Sequence, residues 1–345
     1  MGGSESRLDA IDIALLGQAT VAFGVGWVAY PIREGHTGDF LLALSHRPGS
    51  RWDGEGIGYG PLFTLFDLCV RSLSTPAVSR LMFAVNHVLM AASLFGLLRL
   101  LLPAARPHRA FSLAIFAWVN FYPNFQLIRQ NNVEIFEMAL LTLMMTLLGR
   151  QRERAAGVAL GLAIATKLAP IVLVPYLIWR RRWRSAVTAL AIAGAALAFA
   201  GALQGLSPYD AAVSWGRDLK GGGPQYAGNQ SLTGLIYRAF STWDTSSAKT
   251  LLMPAVQDQV LARIVSRVAS VFVIGGVAVL FIQRAGWTPL AAAPTLERLE
   301  LGIVFLATFL AAPYSHPHYY GLVAFVYILA LGLQTRGGLA IMLGA

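Results

Sequence analysis

The chain has a single cysteine among 345 residues, Cys69, so it can form no intrachain disulfide and no cysteine-based metal site. Charge is scarce too: Asp, Glu, Lys and Arg make up 13% of the residues, while 56% are hydrophobic. With a mean hydropathy of +0.59, that shortage excludes an ordinary soluble domain and indicates one polytopic membrane domain spanning residues 1–345. Acids are the scarcer sign, 17 against 27 Lys plus Arg, for a net charge of +10. An excess of this kind can mark a nucleic-acid binder. Here the arginines fall in short loops between apolar runs, so no nucleic-acid partner is expected and the excess reads as topological charge. Also missing are an internal repeat, a low-complexity segment and, in MGGSESRLDAID and the run after it, a small-residue cleavage pattern; the first helix is expected to be retained.

What is present is organised around Arg150 to Arg184: RQRER, an apolar run from Ala155 to Trp179 interrupted by Lys167 and Pro170, then RRRWR. Arginines beside short loops resist translocation, which puts both ends of the run on the cytoplasmic side. A single crossing by about 25 residues would separate the clusters, so two half-length helices meeting near Lys167 and Pro170 are expected, a hairpin. A lysine at its tip needs a water-filled cavity or an anionic partner, because a charge at the centre of a membrane helix costs about 2.5–3.5 kcal/mol on insertion scales.

The same charge pattern orders the rest. A first span from Ile11 to Tyr30 leaves residues 31–58 as an extracytoplasmic loop, and Leu81 to Leu102 returns inward. Phe111 to Leu127 goes out, which places Arg129 to Asn132 outside, and Val133 to Gly149 comes back. For the alternation to close, Tyr59 to Leu73 must begin and end on the outer side, as a re-entrant or interfacial helix. Ala186 to Leu203 then releases a long polar loop, residues 204–259, before Val260 to Ile282, Leu301 to Ala312 and Tyr319 to Leu333. The expected fold is all-α, with roughly ten membrane segments, some of half length.

Asp39, Tyr59, Arg129, Gln130, Asn131, Asn132, Lys167, Asn229, Gln230, His316 and His318 all fall at or near the outer face on this reading, several against apolar runs, as in IRQNNVEIF and APYSHPHYY. Each has a plain structural alternative. Asp39 can cap a helix, Lys167 can snorkel or pair with Glu134 or Glu137, the histidines can decorate the turn at Pro317, and Asn229 and Gln230 can shape a loop. His316 and His318 with Asp39 could supply three metal ligands, but two histidines are a thin signal and no metal is expected. One carboxylate among several cations suits transfer of a sugar from a phosphate leaving group. A multispanning lipid or sugar transporter or flippase is the different-class alternative; its site would lie between repeated halves, which the sequence does not show.

The order GDF in the first outer loop, YGPLF, QNN before a span, GVALGLAIATKLAPIVLVPYLIWRRRW, AGNQSLTGLIYRAF and a final histidine pair resembles glycosyltransferase family 87, a GT-C superfamily group of polyprenyl-phosphate-mannose-dependent α-mannosyltransferases. Where that family has a Tyr-Pro-Pro element this chain has Tyr59, Gly60 and Pro61, and where it has Gly-Gln-x-Asn this chain has Arg129 to Asn132. The resemblance implies a GT-C-like fold in a bacterial inner membrane with the site facing the extracytoplasmic side. It implies an inverting transferase acting between a polyprenyl-phosphate sugar and a glycolipid or glycan acceptor, within membrane lipid and with no cofactor. On that reading Asp39 deprotonates the acceptor, Lys167, Arg129, His316 and His318 hold the donor phosphate, and Tyr59, Gln130, Asn131, Asn132, Asn229 and Gln230 contact substrate.

Overall fold

The computed structural model describes residues 8, 10–29, 31, 60–70, 72–101, 108–218, 229–240, 258–285, 294–312, 315 and 320–321. Among them all regular structure is helical. Helix α1 (Ala10–Ala22) runs on as a π-helical stretch, Phe23–Ala29, and is followed by α2 (Pro61–Val70), α3 (Thr75–Leu101), α4 (His108–Asn120), α5 (Tyr122–Arg129) and α6 (Glu134–Gly149). Then come α7 (Glu153–Thr166), a 3-10 turn (Ala169–Val172), α8 (Leu173–Trp179), α9 (Trp183–Leu203), α10 (Pro208–Asp218), α11 (Leu232–Phe240), α12 (Gln259–Ala285) and α13 (Pro294–Ala311).

The centre of the bundle is α7 against α9. Lipid is as apolar as the helices, so helix association in a membrane comes from close packing, which small residues permit. A Cβ on Gly157 would sit 2.5 Å from the Ser185 carbonyl oxygen and 2.7 Å from the Thr188 Cβ; one on Gly161 would sit 2.7 Å from both Ala189 O and the Ile192 Cβ. The paired numbers rise together, so α7 and α9 run parallel. The 3-10 turn and α8 must therefore return between them. Ser185 Oγ donates to the Glu153 carbonyl at 2.9 Å, and Arg182 Nη1 donates to Gln151 Oε1 at 2.9 Å and to Glu153 Oε1 at 3.2 Å, so the two ends of the Ala155–Trp179 run are clasped together. The expected hairpin is present. At 14 residues, α7 is about 21 Å long and cannot cross a bilayer core of about 30 Å, whereas α9, with 21 residues, can.

Helices α3 and α6 run parallel to each other, since Asn86 meets Asn131 just before α6 and Gly96 meets Thr142 within it, and after the turn at 150–152 α7 runs back along α6. The buried Leu97, Leu141, Met144, Leu160, Ile164, Leu173, Leu177 and Phe305 fill the space between α3, α6, α7, α8 and α13. Helix α2 lies across the end of the bundle away from the arginines. Its start meets Thr166, Thr64 lies 3.4 Å from Gln204, Phe66 packs edge-on to Phe136, and Val70 joins Val78, Met82 and Val133. All of these are helix termini at one level, as a segment that starts and finishes on the same side requires.

By length and hydropathy four described helices can cross a membrane, Ala10–Ala29, Pro76–Leu100, Trp183–Leu203 and Gln259–Arg284; Phe111–Asn120, Ala169–Trp179 and Glu300–Ala311 are apolar but shorter. The segment 111–127 is two helices, not one span, because Phe121 takes an extended conformation and Pro123 opens α5, where its missing N–H costs nothing. The loop 204–259 carries α10 and α11. Tyr319 to Leu333 lies outside the described residues apart from positions 320–321.

Candidate functional site

At the polar end of the bundle α7 stops at Lys167, whose N–H makes the last helical bond to Ala163 O at 3.0 Å and whose own backbone is extended, φ −155° and ψ 141°. That turn directs the side chain onto the first turn of α6, where its Nζ donates to Glu134 Oε1. A carboxylate at a helix N-terminus is itself favoured by the exposed N–H groups and the helix dipole. The pair is unequal in exposure: the lysine side chain is 18% accessible and that of Glu134 is 3%. Three residues along α6, Glu137 is fully buried and neither carboxyl oxygen has a hydrogen-bond partner.

Arg129 to Asn132 form the loop that ends at Glu134. Helix α5 closes with a Schellman turn, Asn132 N–H to Leu127 O at 3.0 Å and Asn131 N–H to Ile128 O at 3.0 Å, which puts Asn131 at φ +49°, a left-handed conformation that asparagine tolerates. The Asn131 amide is wholly buried, accepting from Asn86 Nδ2 at 2.7 Å and donating to Ser79 O at 3.3 Å, and Asn132 Oδ1 accepts from the Glu134 N–H at 3.2 Å. Both asparagines thus fix the loop. Gln130 Oε1 is buried with no partner, and Arg129 is exposed at the loop's outer edge.

The third group is the Asn229–Ser231 turn. Asn229 Oδ1 accepts from Ser231 N–H at 3.0 Å, Ser231 Oγ at 2.8 Å and Ser315 N–H at 2.9 Å, while Gln230 N–H donates to Ser315 O at 2.6 Å and Tyr320 Oη to Gln230 O at 3.0 Å. The turn is tight: a Cβ on Gly234 would lie 2.5 Å from Asn229 Cγ. A Cβ on Gly321 would meet Leu127, the Met138 Cε and, at 3.1 Å, Asn124 Oδ1, so residues 320–321 join the turn to α5 and α6. Segments 190 residues apart in sequence thereby converge on the lysine's end of the bundle. Asp39, Tyr59, His316 and His318 lie outside the described residues. Asn86, Ser79, Ser315 and Tyr320 were not singled out in the sequence; only Asn86, a carboxamide within a long apolar run, carried a signal.

The arginine end is built differently. Arg180 Nε donates to Glu300 Oε2 at 2.9 Å, Nη2 bonds both Glu300 oxygens, and Tyr176 Oη adds a bond to Oε2 at 2.7 Å. Arg182 reaches Glu297 at 3.1 Å and 3.3 Å. Burial works against the Arg180 charge, but the hydrogen bond and charge of Glu300 outweigh it, and the guanidinium is held protonated beyond its usual range. Two arginines read as topological charge are therefore also clamps between α8 and α13.

A family model, glycosyltransferase family 87, matches residues 58–313. No curated protein and no solved structure matches the chain. The chain belongs to glycosyltransferase family 87 and is a membrane glycosyltransferase. The matched stretch holds Tyr59, Arg129 to Asn132, Lys167, Asn229 and Gln230; Asp39, His316 and His318 lie beyond its ends.

Proposed function

We propose that this enzyme moves a sugar, read as mannose, with inversion from a polyprenyl-phosphate donor to a hydroxyl of a glycolipid or glycan acceptor, on the extracytoplasmic face of a bacterial inner membrane. The observation that carries the reading is the Lys167 ammonium at the tip of a hairpin within an apolar bundle, partly accessible and set on the same end as the loops around Arg129 and Asn229. A cation kept at that depth suits a phosphate whose prenyl tail stays among the helices.

In the proposed reaction Asp39 takes the acceptor's proton as its oxygen attacks the anomeric carbon from the face opposite the phosphate. The bond from that carbon to the phosphate oxygen breaks with its electron pair going to oxygen, and polyprenyl phosphate leaves as a monoester. An inverting displacement needs no second carboxylate. The donor carries one negative charge and the leaving monoester nearly two, so charge grows in the transition state. A cation about 4 Å away, at an effective dielectric near 20, gains roughly 2 kcal/mol from half a unit of new charge, about 30-fold in rate. Lys167, Arg129, His316 and His318 are the groups assigned to that charge, and no metal or cofactor enters. Tyr59, Gln130 and Gln230 are assigned to sugar hydroxyls; Asn131, Asn132 and Asn229 serve by shaping the turns that present them.

The test is to supply the protein, reconstituted in lipid, with a panel of polyprenyl-phosphate sugars and a membrane glycolipid extract. Consumption of one donor with a product of inverted anomeric configuration is the expected result. Retained configuration, or movement of donor across the bilayer without consumption, would overturn the proposal.

A further inference from the structure

We propose that Glu134 and Gly60 are positioning residues for Lys167, fixing its ammonium before the donor arrives; this rests on the reading of Lys167 as the contact to the donor phosphate. Three constraints meet at the hairpin tip. The lysine's own N–H closes α7 on Ala163 O at 3.0 Å. From the start of α2 the Gly60 N–H donates to the Thr166 carbonyl at 2.9 Å, and a Cβ at position 60 would lie 2.1 Å from Ala165 O and 2.9 Å from Thr166 O. Thr166 O is one of the last carbonyls of α7, without an intrahelical partner, so the bond satisfies a group that would be costly to strand at membrane depth. Only glycine permits both the approach and the bond: any other side chain collides, and proline has no N–H to give. Thr166 is thus held in place one residue before the lysine. Third, the Glu134 carboxylate grips the ammonium from the buried side while the lysine side chain stays 18% accessible.

Glu134 then has two opposed effects on the donor. It aims the ammonium, which favours a transition state where phosphate charge is growing, and it competes with the singly charged donor phosphate for the same cation in the ground state. Removing the carboxylate should loosen the aim and end the competition at once. A salt bridge that only held α6 to α7 would not produce that pairing of effects, because its loss lowers the amount of folded enzyme and leaves KM alone.

The experiment uses the full chain in lipid nanodiscs with farnesyl-phosphate mannose as donor, the acceptor found by the panel above, and farnesyl monophosphate as a binding probe. Glu134→Gln should lower kcat by about tenfold while the donor KM falls and farnesyl monophosphate binds several-fold tighter; Glu134→Asp should recover most of kcat. Gly60→Ala, which leaves the ion pair's own atoms intact, should also lower kcat several-fold with little change in KM. Wild-type kcat in both Glu134→Gln and Gly60→Ala, or a Glu134→Gln loss that merely tracks folded protein at unchanged KM, overturns the proposal. If Glu134→Gln does not insert, Gly60→Ala and Glu134→Asp decide it: a kcat loss at constant KM in Gly60→Ala supports it, and none in either overturns it. Lys167→Met separates this from the underlying reading. Full turnover and normal probe binding there would sink the phosphate assignment itself, whereas an impaired Lys167→Met beside a normal Glu134→Gln and a normal Gly60→Ala would sink only the positioning.

Discussion

The two ends of the molecule each bury an ion pair, and they are finished to different degrees. At the arginine end Arg180 and Glu300 are joined through several hydrogen bonds, Tyr176 takes a further one, and the guanidinium stands over the Trp179 ring at 4.7 Å. At the polar end the compact Lys167 ammonium pairs with Glu134 and stays partly accessible, and beside it neither carboxyl oxygen of the buried Glu137 is hydrogen-bonded. Breaking a fully satisfied buried pair strands a charge, and no part of such a pair is left over for a ligand. An unfinished cluster has capacity to bind something else. The difference separates a clamp from a site: substitutions at the first should cost stability and spare turnover per folded molecule, and those at the second should do the reverse.

The largest expected effect is at the clamp. Arg180→Met keeps much of the apolar stem but leaves Glu300 buried and unpaired, at a cost of about 3–5 kcal/mol, or on the order of 5–10 °C in the unfolding midpoint of detergent-solubilised protein. Turnover normalised to folded protein should change by less than about twofold. A large loss of normalised turnover with the midpoint unmoved would dissolve the contrast between the ends. Next is Asp39→Asn, which keeps the shape and removes the proposed base: turnover should drop about 100-fold, roughly 2.7 kcal/mol in the barrier, with the unfolding midpoint and donor binding unchanged. Asp53→Asn and Glu55→Gln in the same loop serve as comparisons, and inactivity confined to Asp53→Asn would move the base there.

How far these features could be read from sequence depends on how local their causes are. The hairpin was legible because its causes, Lys167, Pro170 and two arginine clusters, lie within one stretch, and α2 across the polar end followed from the alternation of charge alone. The candidate site residues were legible only as polar groups beside apolar runs. What each does was not, since the partner decides it: Asn131 is committed to Asn86, 45 residues away, and Asn229 to Ser315, 86 residues away. The arginine clamp was hidden for the same reason, because Glu297 and Glu300 face Arg182 and Arg180 across 115 and 120 residues. Helix α11 escaped notice because it is only nine residues long and follows a polar, glycine-rich stretch that reads as loop.

The smallest expected effect lies in the turn beside the clamp. Helix α8 ends in a Schellman motif, Arg182 N–H to Leu177 O at 2.8 Å and Arg181 N–H to Ile178 O at 2.9 Å, which forces Arg181 to φ +57°. The equivalent turn after α9 uses Gly205 at φ +69°, the residue such a position favours. A left-handed conformation costs a non-glycine residue about 1–2 kcal/mol, while glycine gives back about 0.5–1 kcal/mol through the greater freedom of the unfolded chain. Arg181→Gly should therefore raise stability by roughly 0.5–1 kcal/mol, about 1–3 °C in the midpoint. Turnover should not move, because the change is at the clamp's end of the bundle. A fall in the midpoint instead would mean that the exposed Arg181 guanidinium contributes more to the folded protein than its backbone conformation costs, and the clamp would then extend to a third arginine.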